Sequence, residues 1–317
     1  MRLLRAELTK LHRPLSWTVL VTMAVFCVVL AVGGASNAHA GLGDADQPVA
    51  SCAQLRLPAG PACDQAQRLQ RQQIDAARSR LVAAATHTAA QLDPVAAGAE
   101  AAGLMASLPG AVAIALLAGG HVGGEWSGRT LKNLLTQRGH RWQVLAAKLA
   151  SLWIAGAGLV VACWAALAIC GPIIRRVNHL PDPHQSLGHA ASWAGSQAGR
   201  SLLVLAAFAA IGLLAGMITR GSIGTMAATM VTVLAMLIAT VLPGLGEWTP
   251  ATWVQGWMGF AAGQASITSL PDNYWSRFLS SHGTPPGHVF GLAGVCALVV
   301  VCVLVSLRLF TRTDVTG

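Results

Sequence analysis

Six long apolar blocks recur along the chain, at Leu15 to Gly33, Gly103 to Val122, Leu149 to Cys170, Ser201 to Thr219, Ile223 to Gly246 and His288 to Leu307, and none holds an Asp, Glu, Lys or Arg. Each approaches or exceeds the roughly 18 residues a helix needs to cross a hydrocarbon core of about 30 Å. Backbone polar groups inside lipid must be satisfied within their own segment, so each block predicts a helix, and the runs are too dense for the alternating strands of a barrel. The predicted fold is an all-α integral membrane protein with transmembrane helices over 15–33, 103–122, 149–170, 201–219, 223–246 and 288–307. Composition agrees: 54% of residues are hydrophobic and 10% charged, against roughly a quarter charged in a soluble domain.

Charge supplies the orientation. With the N-terminus inside, the cytoplasmic stretches 1–14, 123–148, the turn at Arg220 and the tail 308–317 hold twelve of the 21 basic residues and only Glu7, Glu125 and Asp314 of the acidic ones. The whole excess of +9 then faces the cytoplasm, as the positive-inside rule requires. Both termini are predicted to be cytoplasmic, and the sequence pI near 9.9 reports orientation and membrane lipid contact, with no nucleic-acid partner. Arg175-Arg176 is the local exception. The first block follows a basic leader, but it is longer than the 7–15 residues of a secretory signal core and reads as an uncleaved anchor.

Three stretches fall outside. Residues 37–102 form the largest, and from Asp64 to Leu92 the residues Leu69, Ile74, Leu81, Ala85 and Leu92 recur near helical spacing, predicting an amphipathic helix over 64–92. It reads as a lid packed on the membrane domain or as an element recognising a substrate or partner. Cys52 and Cys63 are the only cysteines outside the blocks and are expected to form a disulfide in an oxidising compartment. The second stretch, 171–200, carries His179, Asp182, His184 and His189, whose spacing matches no strong metal-ligand pattern; no metal site is expected. The third, 247–287, mixes Trp248, Trp253, Trp257, Tyr274 and Trp275 with Gly and Pro, and is predicted to dip back into the interface as short helices. Its tryptophans read as an anchor belt or, through Trp248, Trp253 and Trp257, as the outer gate of a pathway. Gly212 and Gly216 form a G-x-x-x-G pair suited to close helix packing within one chain or between two.

The cytoplasmic loop 123–148 is the stretch richest in candidate chemistry. Ser127 can cap a helix whose Leu131, Leu134 and Leu135 share one face, with Arg129, Lys132, Asn133 and Thr136 on others, and Gly139 suits its end. Its basic residues also suit anionic headgroups. The order of a basic N-terminal segment bearing Glu7-Leu8-Thr9-Lys10-Leu11, a first span, an outside segment, a second span, Glu125, then Gly128-Arg129-Thr130-Leu131, Arg138, Arg141 and Lys148 resembles the permease subunits of ABC-2 type transporters across the whole chain. The resemblance implies an interfacial elbow helix over 1–14, with Glu7, Lys10 and Leu11 as its marked residues. It also implies a coupling helix over Glu125 to Gln137 that docks on a separate cytosolic ATPase. Its contact residues would be Glu125, Gly128, Arg129, Thr130, Leu131, Lys132, Leu134, Leu135 and Arg138. A second permease copy or a homologous permease completes the expected assembly.

The energy source fits that division. No G-x-x-x-x-G-K-[ST] loop and no Gly-Lys dipeptide occur, so ATP and Mg are expected on the partner and no cofactor in this chain. Paired catalytic carboxylates, G-x-S-x-G and zinc motifs are absent from the sequence, which disfavours a membrane enzyme and leaves a non-transporting anchor or sensor as the alternative. Uncharged spans suggest an apolar or amphiphilic cargo such as a drug, lipid or peptide. Export follows from the resemblance alone, and the Arg-, Ala- and Gly-rich composition points to a bacterial plasma membrane.

Overall fold

The computed structural model describes residues 2–10, 14–44, 48–56, 58, 60–127, 141–182, 186–239, 248–259 and 287–312, and every regular element among them is helical. The chain opens with α1 (Arg2–Lys10) and turns into α2 (Pro14–Asp44), which starts on a proline, the residue whose missing N–H does no harm in a first turn. At 31 residues, α2 is about 46 Å long and outruns the apolar block 15–33. Its far end pairs with α3 (Pro61–Gln91), which runs back beside it. The Cys52–Cys63 disulfide, with Cα atoms 5.8 Å apart, pins the connecting loop to the first turn of α3. Only one stripe of α3, through Cys63, Ile74, Leu81, Ala85 and Ala89, is shielded, and most of its other residues are exposed.

The second apolar block departs from the expected straight span over 103–122. It is built from α4 (Ala97–Met105), α5 (Leu108–Ala118), a π-helical turn (Gly119–Gly123) and α6 (Gly124–Ser127), with a 60° bend between α4 and α5. Pro109 stands in the first turn after the break, where it cannot donate to the α4 carbonyls. Ser107 is extended, and a Cβ at Gly110 would collide with the Met105 carbonyl. The bent element begins six residues earlier than the block and contains Glu100, which is buried and accepts a hydrogen bond from Gln91 Nε2 at 2.7 Å.

Further helices are α7 (Arg141–Val177), α8 (Leu187–Thr219), α9 (Ser222–Ala239), α10 (Pro250–Met258) and α11 (His288–Arg312). Most of 171–200, expected as a loop, is the end of α7 and the start of α8. Ser186 caps α8 by accepting the His189 N–H, and Thr249 caps α10 by accepting that of Thr252. Lys148 lies inside α7 rather than at its edge.

The centre of the bundle is α8, which packs on α4, α5, α7, α9 and α11. Its G-x-x-x-G pair is used within the chain: a Cβ at Gly212 would lie 2.7 Å from Ala118 Cβ, and one at Gly216 2.6 Å from Val122 Cγ1. The outward faces of α2, α9 and α11 carry Val21, Val25, Val29, Ile223, Val231, Ile238, Val300 and Leu304, all exposed. Among the described residues five helices are long and apolar enough to cross a membrane, and six if the bent pair counts as one span. The protein is therefore a multi-pass membrane protein.

Candidate functional site: a closed ionic ring joining three helices

Charge is scarce in this chain, yet four charged side chains from three helices meet at one point. The carboxylate of Glu7 on α1 receives Lys10 Nζ on Oε1 at 3.0 Å and Lys148 Nζ on Oε2 at 3.3 Å. Glu125 on α6 receives Lys10 on Oε1 at 2.7 Å and Lys148 on Oε2 at 2.6 Å. Each carboxylate therefore bridges both ammonium groups, and the four form a closed, charge-neutral ring. Its members are withdrawn from solvent: Glu7 and Lys148 side chains are 1% exposed and Glu125 5%, with Lys10 at 29% forming the open edge. A buried ion is tolerated only when paired with good geometry and further hydrogen bonds, and the alternation of signs meets that condition.

Helical periodicity makes the ring. Glu7 and Lys10 are three residues apart on α1, and so share a face. His121 and Glu125 are four apart across the π-helical turn, while Lys148 and Ser151 are three apart on α7. His121 Nε2 lies 3.1 Å from Glu7 Oε2 and 2.9 Å from Ser151 Oγ. The Ser151 hydroxyl donates to the Lys148 carbonyl at 2.8 Å, so its oxygen must accept from His121. Glu7, as a carboxylate, can only accept too, and both contacts then assign the proton to Nε2.

Burial alone pushes the Glu7 carboxyl upward, but the His121 hydrogen bond, the Lys148 charge and the Lys10 contact outweigh it and hold Glu7 at about 2. Lys10 moves upward: burial disfavours its charge, and the hydrogen bonds to Glu125 and Glu7 overcome that. A depressed carboxyl contributes stability above its ordinary 4.5 that is lost as pH falls through 4.5 toward 2. A raised ammonium contributes stability below 10.5 that is lost as pH climbs through its higher folded value. Glu7 and Lys10 are thus both charged across the range between.

A second contact holds the same short helix. Arg220 closes α8 in a left-handed conformation, φ 52°, and its guanidinium lies 5.5 Å from the centre of the Trp126 ring. Just upstream, Gly123 meets the α8–α9 turn so closely that a Cβ would lie 2.6 Å from the Gly221 carbonyl oxygen. Ser127 turns its hydroxyl back to the carbonyls of Gly123 and Gly124 at 3.3 and 3.1 Å. Helix α6 is therefore gripped by the ring on one side and by the α8–α9 turn on the other.

Of the residues marked from sequence, Glu7, Lys10 and Glu125 converge here. Leu11, Gly128, Arg129, Thr130, Leu131, Lys132, Leu134, Leu135 and Arg138 lie outside the described residues. Lys148 is marked in the sequence as part of a motif without a partner, Ser151 and Trp126 carry no signal there, and His121, buried in the π-helical turn, belongs to none of the marked motifs. Cys52 and Cys63 are bonded, far along α2 and α3 from the ring. Of the aromatic residues marked in the third outside stretch, Trp253 and Trp257 lie on α10 and Trp248 just before it, while Tyr274 and Trp275 lie outside the described residues. Trp253 packs across Gly294 of α11, Trp257 Nε1 donates to the Arg200 carbonyl at 3.0 Å, and Trp248 stays exposed with an edge toward Phe290. Arg200 and Gln197 both donate to the Met258 carbonyl at 3.3 Å, fixing α10 to α8.

Comparison with known proteins agrees with the layout. The family model described as ABC-2 family transporter protein matches residues 3–315, nearly the whole chain. No match was found among curated proteins.

Proposed function

Because the chain belongs to the ABC-2 family of transporter proteins, we propose that it is the permease subunit of an ATP-driven exporter, with a separate cytosolic ABC ATPase docking on the loop that starts at Glu125. Members of this family are transporter membrane components, not themselves catalytic, and associate with an ABC ATPase, often as dimers. In this reading α1 lies along the inner interface, both termini and residues 123–148 are cytoplasmic, and the α2–α3 hairpin stands outside. Two permease chains frame the pathway, in a bacterial plasma membrane. The cargo is apolar or amphiphilic, and ATP and Mg reside on the partner.

The observation that carries the reading is the ring. Residues 128–140 join α6 to α7, and Glu125 and Lys148 lie near the two ends of that connection, tied to each other and to α1. A push on the loop therefore reaches α1, α6 and α7 together, and reaches the α8–α9 turn through Trp126 and Arg220. Elements that move as one body are what convert an ATPase stroke into rearrangement of spans.

The test is purification of the detergent-solubilised chain from its native membrane. A phosphate-loop ATPase should copurify in stoichiometric amount and be lost when Thr130 and Leu131 are replaced. A stable chain that copurifies with no ATPase overturns the permease reading in favour of an anchor or sensor.

A further inference from the structure

The end of the bundle opposite the ring holds a pair of histidines on two different helices. His39 lies near the end of α2 and His179 just beyond the end of α7, with ring centroids 6.0 Å apart and planes tilted by 46°. Beside them, Ser36 Oγ donates to Asn178 Oδ1 at 3.2 Å, and Asn178 Nδ2 donates back to the Ile174 carbonyl at 2.9 Å. This polar rung joins the two helix ends one turn from His39 and next to His179, so the imidazoles are brought close together.

The backbone at His179 is unusual. Its φ is 51°, the left-handed region where glycine is the ordinary occupant. The residue sits at the position after the end of α7 in a 6→1, 5→2 turn: the Leu180 N–H bonds the Arg175 carbonyl at 3.1 Å and the His179 N–H that of Arg176 at 3.2 Å. Leu180 is buried, as is Ile174 one turn back, supplying the apolar contact that accompanies this turn. A glycine would satisfy every one of these backbone requirements, so they do not account for an imidazole at this position.

We propose that His39 and His179 form a binding site for a divalent transition-metal ion of the imidazole-preferring class, with zinc as the representative. Such ions bind neutral imidazole at about 2.0–2.1 Å from nitrogen, and a ring centroid lies about 1 Å behind its ligating nitrogen. Two imidazoles on one ion therefore have centroids at most about 6.2 Å apart when directly opposed and about 5 Å apart at a tetrahedral angle; the observed 6.0 Å lies inside the first distance and about 1 Å, a side-chain rotation, from the second. Both side chains are exposed, which leaves them free to rotate toward a tetrahedral angle and leaves room for water to complete the coordination. Asp182, the nearest acidic residue in sequence, is engaged with Arg175 at 3.3 Å, so among the described residues the site has two protein ligands and binds a labile ion. The ion would fasten α2 to α7 at the end remote from the ring.

The test uses the full chain without a polyhistidine tag, purified in detergent and melted at about pH 7.5, where free imidazole is neutral, with and without zinc chloride. Zinc should raise Tm by a few degrees in the unaltered chain and by nothing in His39→Gln or His179→Gly, and EDTA should reverse the rise. Glycine suits the left-handed turn, so His179→Gly should keep or raise the metal-free Tm, which separates loss of a ligand from loss of fold. No zinc-dependent rise in the unaltered chain, or an equal rise in both variants, overturns the site.

Discussion

The two ends of the bundle are secured by different chemistry. At the ring, α1, α6 and α7 are held without a covalent link, by the buried Glu7, Glu125 and Lys148 and the half-buried Lys10 pairing two carboxylates with two ammonium groups. At the other end, α3 keeps Arg68, Arg71, Asp75 and Arg80 on its exposed surface and is fastened by an apolar stripe and the Cys52–Cys63 bond. A buried ring stands or falls together, because removing one ion leaves its partners uncompensated. A stapled hairpin fails locally. Polar atoms at the first end are thus placed to link motion between helices, and those at the second to meet whatever lies outside the bundle.

Breaking the ring should produce the larger effect. Lys148→Met leaves the Glu7 and Glu125 carboxylates sharing the single ammonium of Lys10, and loss of one partner from a buried ion pair destabilises by roughly 3–5 kcal/mol. Adding Glu125→Gln removes one of the stranded charges and should restore part of that loss. A double-mutant cycle in thermal melts measures the coupling; additivity within about 0.5 kcal/mol would show that the four residues do not act as a unit. Acid reaches the same ring reversibly. With Glu7 held at about 2, Tm should fall as pH drops from 4.5 toward that value, and Glu7→Gln should flatten this limb relative to the unaltered chain. An identical acid limb in both chains would remove Glu7 from the account.

Opening the staple should come next in size and stay confined. Closing a loop of 11 residues restricts the unfolded chain by roughly 3 kcal/mol in the entropy model. Cys52→Ser with Cys63→Ser should therefore speed amide exchange along 48–80 while α4, α7 and α8 keep their protection. Exchange rising equally in α8 would show that the hairpin and the bundle unfold as one, and the contrast between the two ends would collapse.

How much of this was legible beforehand differs between the ends in the same way. The helices followed from apolar blocks, because lipid imposes a length and a backbone requirement that a sequence displays directly. The disulfide followed from two cysteines standing apart from five others. The break at Ser107-Leu108-Pro109 was missed because an apolar run hides a proline when only charge is counted. The ring was missed for a different reason. Glu7, Glu125 and Lys148 are separated by 118 and 23 positions, and periodicity reports which residues share a helix face without reporting which faces meet. The one available hint was Lys148 itself, an ammonium adjoining an apolar block with no acid within a turn of it. Gly212 and Gly216 were readable as a packing face, but their partners Ala118 and Val122 are small or β-branched residues that carry no signal of their own.

The smallest effect should come from the second grip on α6. Arg220 lies 5.5 Å over Trp126, and a cation over an indole at a partly exposed position contributes about 0.5–1 kcal/mol. Arg220→Gln should lower Tm by far less than Lys148→Met, since it strands no buried charge. It also leaves intact the left-handed turn that ends α8, because the Arg220 N–H to Gly216 carbonyl bond belongs to the backbone. Arg220→Lys should recover most of the loss if attraction to the ring is the cause, and none of it if the flat guanidinium is needed for stacking. The informative comparison is with function. In the complex with the ATPase, Arg220→Gln should leave copurification unchanged, because residues 128–140 keep both anchored ends, yet it should weaken the link from α6 to the α8–α9 turn. ATP hydrolysis that continues with reduced transport would place Arg220 in transmission. Unchanged transport would confine transmission to the ring, and the α8–α9 turn would then serve only as packing.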